Sequence, residues 1–267
     1  MKYIDCEKYA QEILDEVKQI KHTKYFTIVS VGDNPASQSY IKGKIKDCEV
    51  CGIPYIHKHI GVGDAELSKC ELRETLYNLK YNPNVSSVIL QLPLPDGWDE
   101  KSYLDIISPQ QDVDGLTKDS PFSPCTPEGI VYILKKELGN LEGKTALIIG
   151  RGELVGRPLF DMLLAENCTV TMAHSKTRDL NMLIQDHFDI IVSAVGKPKL
   201  INLLLCDAKI VIDVGVNRDE NGKLCGDCYE FYEDEKEDML VTPVPKGIGL
   251  MTRAMLMQHI SKTQQND

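Results

Sequence analysis

The sequence predicts a two-domain α/β protein whose sheets are mostly parallel. Short apolar runs rich in β-branched residues alternate with amphipathic segments of helical length along the chain. A loop rich in Pro, Asp, Gly and Ser at 108–127 separates two such series. A length of 267 residues suits either one large α/β unit or two modest ones.

The first series begins with an amphipathic helix over 6–21. Its residues Ala10, Ile13, Leu14 and Val17 share one face. Further helices are predicted over 35–51 and 65–81, with strands over 25–31, 54–60 and 86–92. A helix of about a dozen residues is expected before the long loop.

Local signals place the ends of these elements. Asn34 is a candidate N-cap with Pro35 at the first helical position, and Gly52 is a natural stop for the same helix. Gln91 and Leu92 fall at the carboxyl end of a strand, where ligands gather in open α/β sheets.

The second series opens with a helix over 127–138 and a continuous apolar strand over 144–150, typical of a buried parallel sheet. A helix over 155–166 and strands over 169–172, 190–195, 210–214 and 239–242 complete a Rossmann-like alternation. A last helix is predicted over 250–263.

Composition excludes several classes of function. The net charge is −10, which argues against nucleic acid as the main partner because a duplex binder needs a basic face. The first 17 residues lack the apolar core of a signal peptide, and no apolar run approaches the ~20 residues that span a bilayer. We expect a cytoplasmic protein without a membrane segment.

Nine cysteines without a secretory signal indicate reduced thiols. Cys48 with Cys51 and Cys225 with Cys228 have the spacing of zinc ligands, but the pairs are far apart and lack accompanying knuckle sequences. Half-buried thiols are the simpler interpretation, and we expect no metal.

A glycine turn between a strand and a helix predicts a dinucleotide site. Gly150, Gly152 and Gly156 allow close approach of a pyrophosphate to the helix N-terminus. The alternative is a turn that only packs helix on strand.

The segment after the next strand indicates which dinucleotide binds. NAD-specific folds place a carboxylate there, whereas residues 174–178 (HSKTR) carry a hydroxyl and potential cations, with Arg151 nearby in the turn. Guanidinium groups match phosphate geometry, so NADP is favoured and NAD is the alternative. Lys176 and Arg178 taken singly are more simply solvated loop charges.

Ser37, Tyr40 and Lys44 share one helical face. A partly desolvated lysine there could act as a general acid or base, although most helical lysines are solvated. Asp112 and Asp114 alternate in a loop that lacks the rest of an EF-hand, and a carboxylate can accept paired N–H donors from a heterocycle such as a pterin. His57 and His59 could ligate a metal, but ordinary strand residues are the simpler interpretation.

Eight sequence blocks in register resemble the bifunctional methylenetetrahydrofolate dehydrogenase/methenyltetrahydrofolate cyclohydrolase family. They are 31–44 (VGDNPASQSYIKGK), 91–95 (QLPLP), 112–115 (DVDG), 124–127 (PCTP), 150–158 (GRGELVGRP), 174–175 (HS), 213–215 (DVG) and 242–245 (TPVP). The resemblance covers nearly the whole chain.

The resemblance implies a catalytic folate-binding domain of three-layer type over 1–122, a Rossmann-like NAD(P)-binding domain over 123–246, and a C-terminal helix, 247–267, that returns to the first domain. It implies oxidation of 5,10-methylenetetrahydrofolate with NADP and hydrolysis of the methenyl product to 10-formyltetrahydrofolate, in one-carbon metabolism and purine biosynthesis. A homodimer through the cofactor domains is also implied.

The resemblance assigns roles to single residues. Lys44 matches the central catalytic lysine, Tyr40 orients or stacks on the folate, Gln91 hydrogen-bonds the lysine and Asp114 anchors the pterin. The other implied substrate-binding residues are Ser37, Pro245 and Gly247. The implied cofactor-binding residues are Gly150, Arg151, Gly152, Val155, Gly156, Arg157, His174, Ser175, Val195, Gly196, Gly215 and Val216.

Four residues depart from the family pattern. Gly152 replaces a serine, Lys246 replaces a glycine and disfavours a positive φ, Leu250 replaces a proline, and Gln111 stands where lysine is common. Two alternatives to the family's double activity stay open, and Lys246 and Gly152 bear on the first of them. One is a diverged paralogue with one activity or with folate binding alone, and the other is a Rossmann dehydrogenase acting on a small hydroxy acid.

Overall fold

Parallel strands dominate the structure, a computed structural model that describes residues 1–230 and 238–265. The chain forms two units: residues 11–125 with 253–267, called the N-terminal unit, and residues 1–10 with 126–252, called the Rossmann-like unit. The functional domain boundaries inferred from the sequence stay a prediction.

The helices are α1 (Cys6–Val17), α2 (Pro35–Cys51), α3 (Ala65–Lys80), α4 (Glu100–Leu104), α5 (Cys125–Leu138), α6 (Gly156–Ala165), α7 (Leu180–Gln185) and α8 (Ile248–Gln265). The strands are β1 (Lys2–Tyr3), β2 (Tyr25–Val31), β3 (Tyr55–Ile60), β4 (Val85–Leu90), β5 (Thr145–Ile149), β6 (Thr169–Ala173), β7 (His187–Ser193), β8 (Ile201–Asn202), β9 (Asp207–Asp213), β10 (Asn217–Arg218), β11 (Leu224–Cys225), β12 (Cys228–Tyr229) and β13 (Leu240–Val241). None of these helices is long and apolar enough to cross a membrane.

The N-terminal unit has a three-stranded parallel sheet in the order β3-β2-β4. Its chain passes from β2 through α2 to β3 on one side and then returns to place β4 on the other side. The carboxyl ends of β2 and β4 therefore form a topological switch point, where ligands bind in open sheets. Buried Val29, Leu72, Leu76 and Leu90 belong to the core on one face of this sheet.

The Rossmann-like unit has a six-stranded parallel sheet in the order β1-β13-β9-β7-β5-β6. The chain runs from β5 through α6 to the edge strand β6, and β7 then pairs on the other side of β5. The second switch point lies at the carboxyl ends of β5 and β7. Its core includes Leu147, Ile149, Ile191 and Val211.

The predicted two-domain α/β class with parallel sheets is confirmed, and residues 253–265 of α8 belong to the N-terminal unit. Asn34 caps α2 by accepting from the N–H groups of Ala36 and Ser37, and Gly52 ends this helix with φ 67°. Both were expected from residue type alone.

Two predicted helices are too long, and the first of them ends at Val17 instead of residue 21. The helix of a dozen residues expected before the long loop is only Glu100–Leu104. Ile106 and Ile107 turn into the core of the unit, and Pro109 begins a short 3₁₀ turn. Proline disfavours helical backbone in the residue before it, so this helix cannot continue into the loop.

Candidate active site

Lys44 is buried near the middle of α2, with 6% of its surface exposed. Its Nζ donates to Oε1 of Gln91 at 3.0 Å. Gln91 follows β4 and extends the sheet, because its backbone N–H donates to Val29 O. Its side-chain N–H donates to Leu92 O at 2.8 Å. An amide oxygen accepts from a charged or a neutral amine, so this contact survives a change in protonation of the lysine.

Ser37 and Tyr40 lie on the same helix as Lys44. Ser37 is buried, and its hydroxyl donates to Leu92 O at 3.4 Å, which joins α2 to the segment after β4. Tyr40 is half-buried. Burial raises the pKa of the Tyr40 phenol, and the nearby charge of Arg253 opposes that rise. The phenol is therefore neutral at physiological pH.

The two aspartates of the long loop have different environments. Asp112 is buried and accepts from the N–H groups of Gly115 and Thr117 at 3.1 and 2.7 Å. Asp114 is half-buried, and its carboxylate has no hydrogen bond to the described residues. Asp112 thus shapes the loop, whereas no described residue occupies the acceptor oxygens of Asp114.

A residue that the sequence did not single out holds this loop. His259 of α8 is buried, and its Nδ1 lies 2.8 Å from Val113 O. Its ring stacks on Phe122 with centroids 4.5 Å apart. Helix α8 therefore supports the backbone that presents Asp114.

The glycine turn of the Rossmann-like unit contains two positions that admit no side chain. Gly150 has φ 122°, and a Cβ there would clash with the Ala194 carbonyl; a Cβ on Gly156 would clash with the Gly150 carbonyl. Gly152 faces open space. Gly150 and Gly156 thus maintain a tight turn into the N-terminus of α6, which is the geometry that receives a pyrophosphate.

The remaining residues predicted around the turn are mostly exposed. Val155 is half-buried, and exposed Arg157 lies 3.6 Å from Glu153. Arg151 follows β5, and His174 and Ser175 follow its neighbour β6. The His174 ring accepts from the Lys176 N–H at 3.1 Å and so shapes this second loop.

Asp227 is a buried carboxylate that the sequence analysis missed. It accepts from the Ser193 hydroxyl at 2.8 Å and from the amides of Val195, Gly196 and Lys197 at 2.9, 3.2 and 2.8 Å. The side-chain amide of Asn217 also donates to it. These bonds fix the loop after β7, which holds two predicted cofactor residues.

Asp213 performs a similar task at the end of β9. It accepts from the amides of Gly215 at 2.9 Å, Asp227 at 3.0 Å and Cys228 at 2.8 Å. Burial raises the pKa of Asp213, and the three N–H donors oppose the rise. Gly215 is packed so that a Cβ would clash with the Asp227 carboxylate, whereas Val216 is 51% exposed.

The segment Pro245–Gly247 forms a turn with a left-handed residue at its centre. Lys246 adopts φ 75° although it is not glycine, and the Val244–Pro245 peptide is cis. Lys246 thus holds a left-handed backbone conformation, which costs about 1–2 kcal/mol for a residue with a side chain. Its Nζ lies 3.2 Å from Glu7. A Cβ on Gly247 would clash with the Pro243 carbonyl.

Another departure has a structural role. Gln111 is buried and donates to the carbonyls of Leu79 and Val85, both at 3.1 Å.

Within the described ranges, no three His, Cys, Asp or Glu side chains group as a metal site, and all nine cysteines are free.

Two family models match the chain. Residues 4–114 match the tetrahydrofolate dehydrogenase/cyclohydrolase catalytic domain, and residues 124–267 match the NAD(P)-binding domain of the same family. Together they span both predicted sites.

Individual relatives agree with these matches. The bifunctional protein FolD of Oceanobacillus iheyensis is 40% identical over 259 residues, covering 93% of this chain and 89% of the relative. The crystal structure of the bifunctional enzyme FolD, a methylenetetrahydrofolate dehydrogenase/cyclohydrolase from Campylobacter jejuni, has a TM-score of 0.90 at 36% identity and covers 100% and 99% of the two chains. The Trypanosoma brucei enzyme, complexed with NADP and an inhibitor, has a TM-score of 0.87 at 25% identity, with coverage of 98% and 97%.

Proposed function

Because the chain belongs to the tetrahydrofolate dehydrogenase/cyclohydrolase family, we propose that it performs both reactions named in that family. It oxidises 5,10-methylenetetrahydrofolate with NADP⁺ and hydrolyses the resulting methenyl compound to 10-formyltetrahydrofolate. The observation that carries the proposal is a buried lysine amine held 3.0 Å from a neutral glutamine oxygen.

Lys44 is the proposed proton carrier in the hydrolysis. The methenyl group is a delocalised cation that water attacks at its bridging carbon. The neutral amine of Lys44 takes a proton from that water and returns one to the ring nitrogen as the carbon–nitrogen bond breaks. Gln91 fixes the amine through both states because its oxygen accepts from either form.

Tyr40, Ser37 and Asp114 are the proposed positioning and binding groups of the substrate. A neutral phenol offers an aromatic face to the folate ring system. The Asp114 carboxylate, which no described residue occupies, accepts adjacent N–H donors of the pterin and so holds the one-carbon bridge near the lysine. Pro245 and Gly247 are further proposed substrate-binding residues.

The turn of the Rossmann-like unit fits a dinucleotide because Gly150 and Gly156 leave no room for side chains where backbone must approach a pyrophosphate. When bound, NADP⁺ supplies the hydride acceptor of the dehydrogenase reaction. Gly152, Val155, Arg157 and the loop residues Val195, Gly196, Gly215 and Val216 complete the proposed cradle. Arg151, His174 and Ser175 are proposed to receive the 2′-phosphate, since cationic and hydroxyl donors suit it.

Two finer proposals rest on the family resemblance. We propose that the protein is a homodimer associating through its cofactor units and that it acts in the cytoplasm. Light scattering of the purified protein and fractionation of its cells test these statements.

The activity is tested by giving the purified protein methylenetetrahydrofolate with NADP⁺ or NAD⁺. We expect the methenyl chromophore to appear faster with NADP⁺, and added methenyltetrahydrofolate to decay faster than without enzyme. Folate binding without either signal would instead identify a diverged paralogue, and activity on a small hydroxy acid would identify a different dehydrogenase.

A further inference from the structure

Arg253 of α8 lies against α2 at the single glycine of that helix. A Cβ on Gly43 would clash with Nη1 of Arg253 and would lie 3.0 Å from its Cζ. The guanidinium therefore occupies the space that a side chain at position 43 would fill. Glycine inside a helix is unfavourable relative to alanine, so this opening is maintained against the helix propensity of α2.

Asp47 holds the guanidinium in this opening. It lies one helical turn after Gly43, only 8% of its side chain is exposed, and its Oδ2 is 2.9 Å from Arg253 Nε. The Nε–H is not aligned on that oxygen, so the contact is an ion pair rather than a straight hydrogen bond. Burial raises the pKa of the Asp47 carboxyl, and Arg253 and Lys46 oppose the rise.

The two outer nitrogens of Arg253 are available to a ligand. Among the described residues, no acceptor forms a hydrogen bond with Nη1 or Nη2. The side chain is 24% exposed, so a ligand can reach it. Gly43 precedes Lys44 and lies three residues after Tyr40 on one helical face. The charge of Arg253 acts on the Tyr40 phenol, which places the guanidinium within electrostatic range of that ring.

We propose that Arg253 is a substrate-binding residue that pairs with a carboxylate of the glutamate tail of the folate. This inference rests on the proposed function, because it requires a folate ring system at Tyr40. The glutamate is attached to the benzoyl ring of the folate, and its carboxylates are the anionic groups of that substrate. Guanidinium groups pair with carboxylates through two parallel N–H donors, for which Nη1 and Nη2 are free.

The test uses calorimetry to measure binding of tetrahydrofolate and of tetrahydropteroyl amide, in which a neutral primary amide replaces the glutamate so that no carboxylate remains. We expect the wild-type protein to bind tetrahydrofolate about tenfold more tightly, and Arg253→Met to reduce this ratio to about one. Lys262→Met removes an exposed cation from the same helix and is expected to keep the wild-type ratio.

Gly43→Ala provides a second, independent variant. Its methyl group displaces the flexible end of Arg253 without removing the charge, and alanine favours the helix, so the ratio falls while the protein stays folded. In the Arg253→Met background the same substitution is expected to have no further effect on the ratio.

A wild-type ratio in Arg253→Met would overturn the inference. Equal weakening of both ligands, with a lower Tm, would also overturn it, because the Arg253–Asp47 pair would then only join α8 to α2. Turnover of methylenetetrahydrofolate is followed in parallel. If Arg253→Met loses the preference for the glutamate-bearing ligand but the wild-type protein shows no turnover, the proposed activity is contradicted and the role of Arg253 is not.

Discussion

At the scale of single residues, similar side chains a few positions apart have different tasks. Lys44 is buried and contacts Gln91, whereas Lys42 and Lys46 on the same helix are exposed. The Asp112 carboxylate accepts hydrogen bonds from backbone amides, whereas the Asp114 carboxylate accepts none from the described residues. Burial and hydrogen-bond partners thus distinguish the proposed catalytic or binding residue from its neighbour in each set.

The aspartates give a matched prediction. We expect Asp114→Asn to raise the KM for methylenetetrahydrofolate at least tenfold and to change the free energy of unfolding by less than about 0.5 kcal/mol, because its carboxylate has no hydrogen-bond partner among the described residues. Asp112→Asn is expected to cost about 1–3 kcal/mol, because a buried acceptor of two amides becomes a group with donors to satisfy. Steady-state kinetics and urea denaturation separate the two, and equal loss of stability in both variants would refute the distinction.

Asp227 supports a prediction about the cofactor loop. Asp227→Asn places a donor among three converging amides, so we expect the loop after β7 to shift and the KM for NADP⁺ to rise about tenfold. The Kd for tetrahydrofolate, measured without cofactor, serves as the control and is expected to be unchanged. A stability loss without any change in KM for NADP⁺ would assign Asp227 a purely structural role.

At the scale of elements, the site depends on strands that end at switch points and on helices that begin there. Helix α2 starts at a capped turn after β2, and α6 starts at a glycine turn after β5. The opposite ends of the strands contain groups that serve stability. Asp189 on β7 joins Thr145 on β5 and Lys209 on β9 in this way.

Asp189 gives a pH-dependent prediction. Burial alone would raise its pKa, but hydrogen bonds from Lys209 and Thr145 outweigh burial and lower the pKa from 3.8 to about 2. A lowered folded-state pKa stabilises the protein above the unfolded value, and this stabilisation is lost as the pH falls from about 4 towards 2. We expect Asp189→Asn to lower the free energy of unfolding by about 1–2 kcal/mol at pH 7, by about half as much at pH 3 and by much less at pH 2.

Denaturant titrations at several pH values check this expectation. Asp207→Asn on the neighbouring strand is the control, because Asp207 is 65% exposed and its contact with His187 lies at the surface. A pH-independent difference between wild type and Asp189→Asn would contradict the account.

At the scale of the whole molecule, the sequence predicts what is local. Asn34, Gly52, Gly150 and Gly156 act through the turn or helix end in which they stand, so residue type and spacing were enough to place them. The alternation of apolar runs and helical segments predicted the two α/β units for the same reason.

The family resemblance implied the Lys44–Gln91 contact and the return of the C-terminal helix, but other contacts across long stretches of chain were not predicted. His259 supports the Asp114 loop over 146 positions, and Arg253 lies against a helix more than two hundred positions earlier. Asp227 lies 34 positions from Ser193. Histidine, arginine and aspartate are common on protein surfaces, so the residue type of His259, Arg253 or Asp227 does not indicate a buried partner. Only the folded chain brings these side chains to their contacts. Helix α4 was predicted too long because the local pattern does not show that Ile106 and Ile107 leave the helix to enter the core.

The central claim is that the Lys44 amine carries the proton in hydrolysis of the methenyl compound. The decay of methenyltetrahydrofolate by Lys44→Met tests it most directly, with Lys42→Met as the control from the exposed face of α2. We predict that Lys44→Met loses at least a hundredfold in hydrolysis rate while its Kd for NADP⁺ stays within about twofold of wild type. Hydrolysis at the wild-type rate in folded Lys44→Met would contradict the claim.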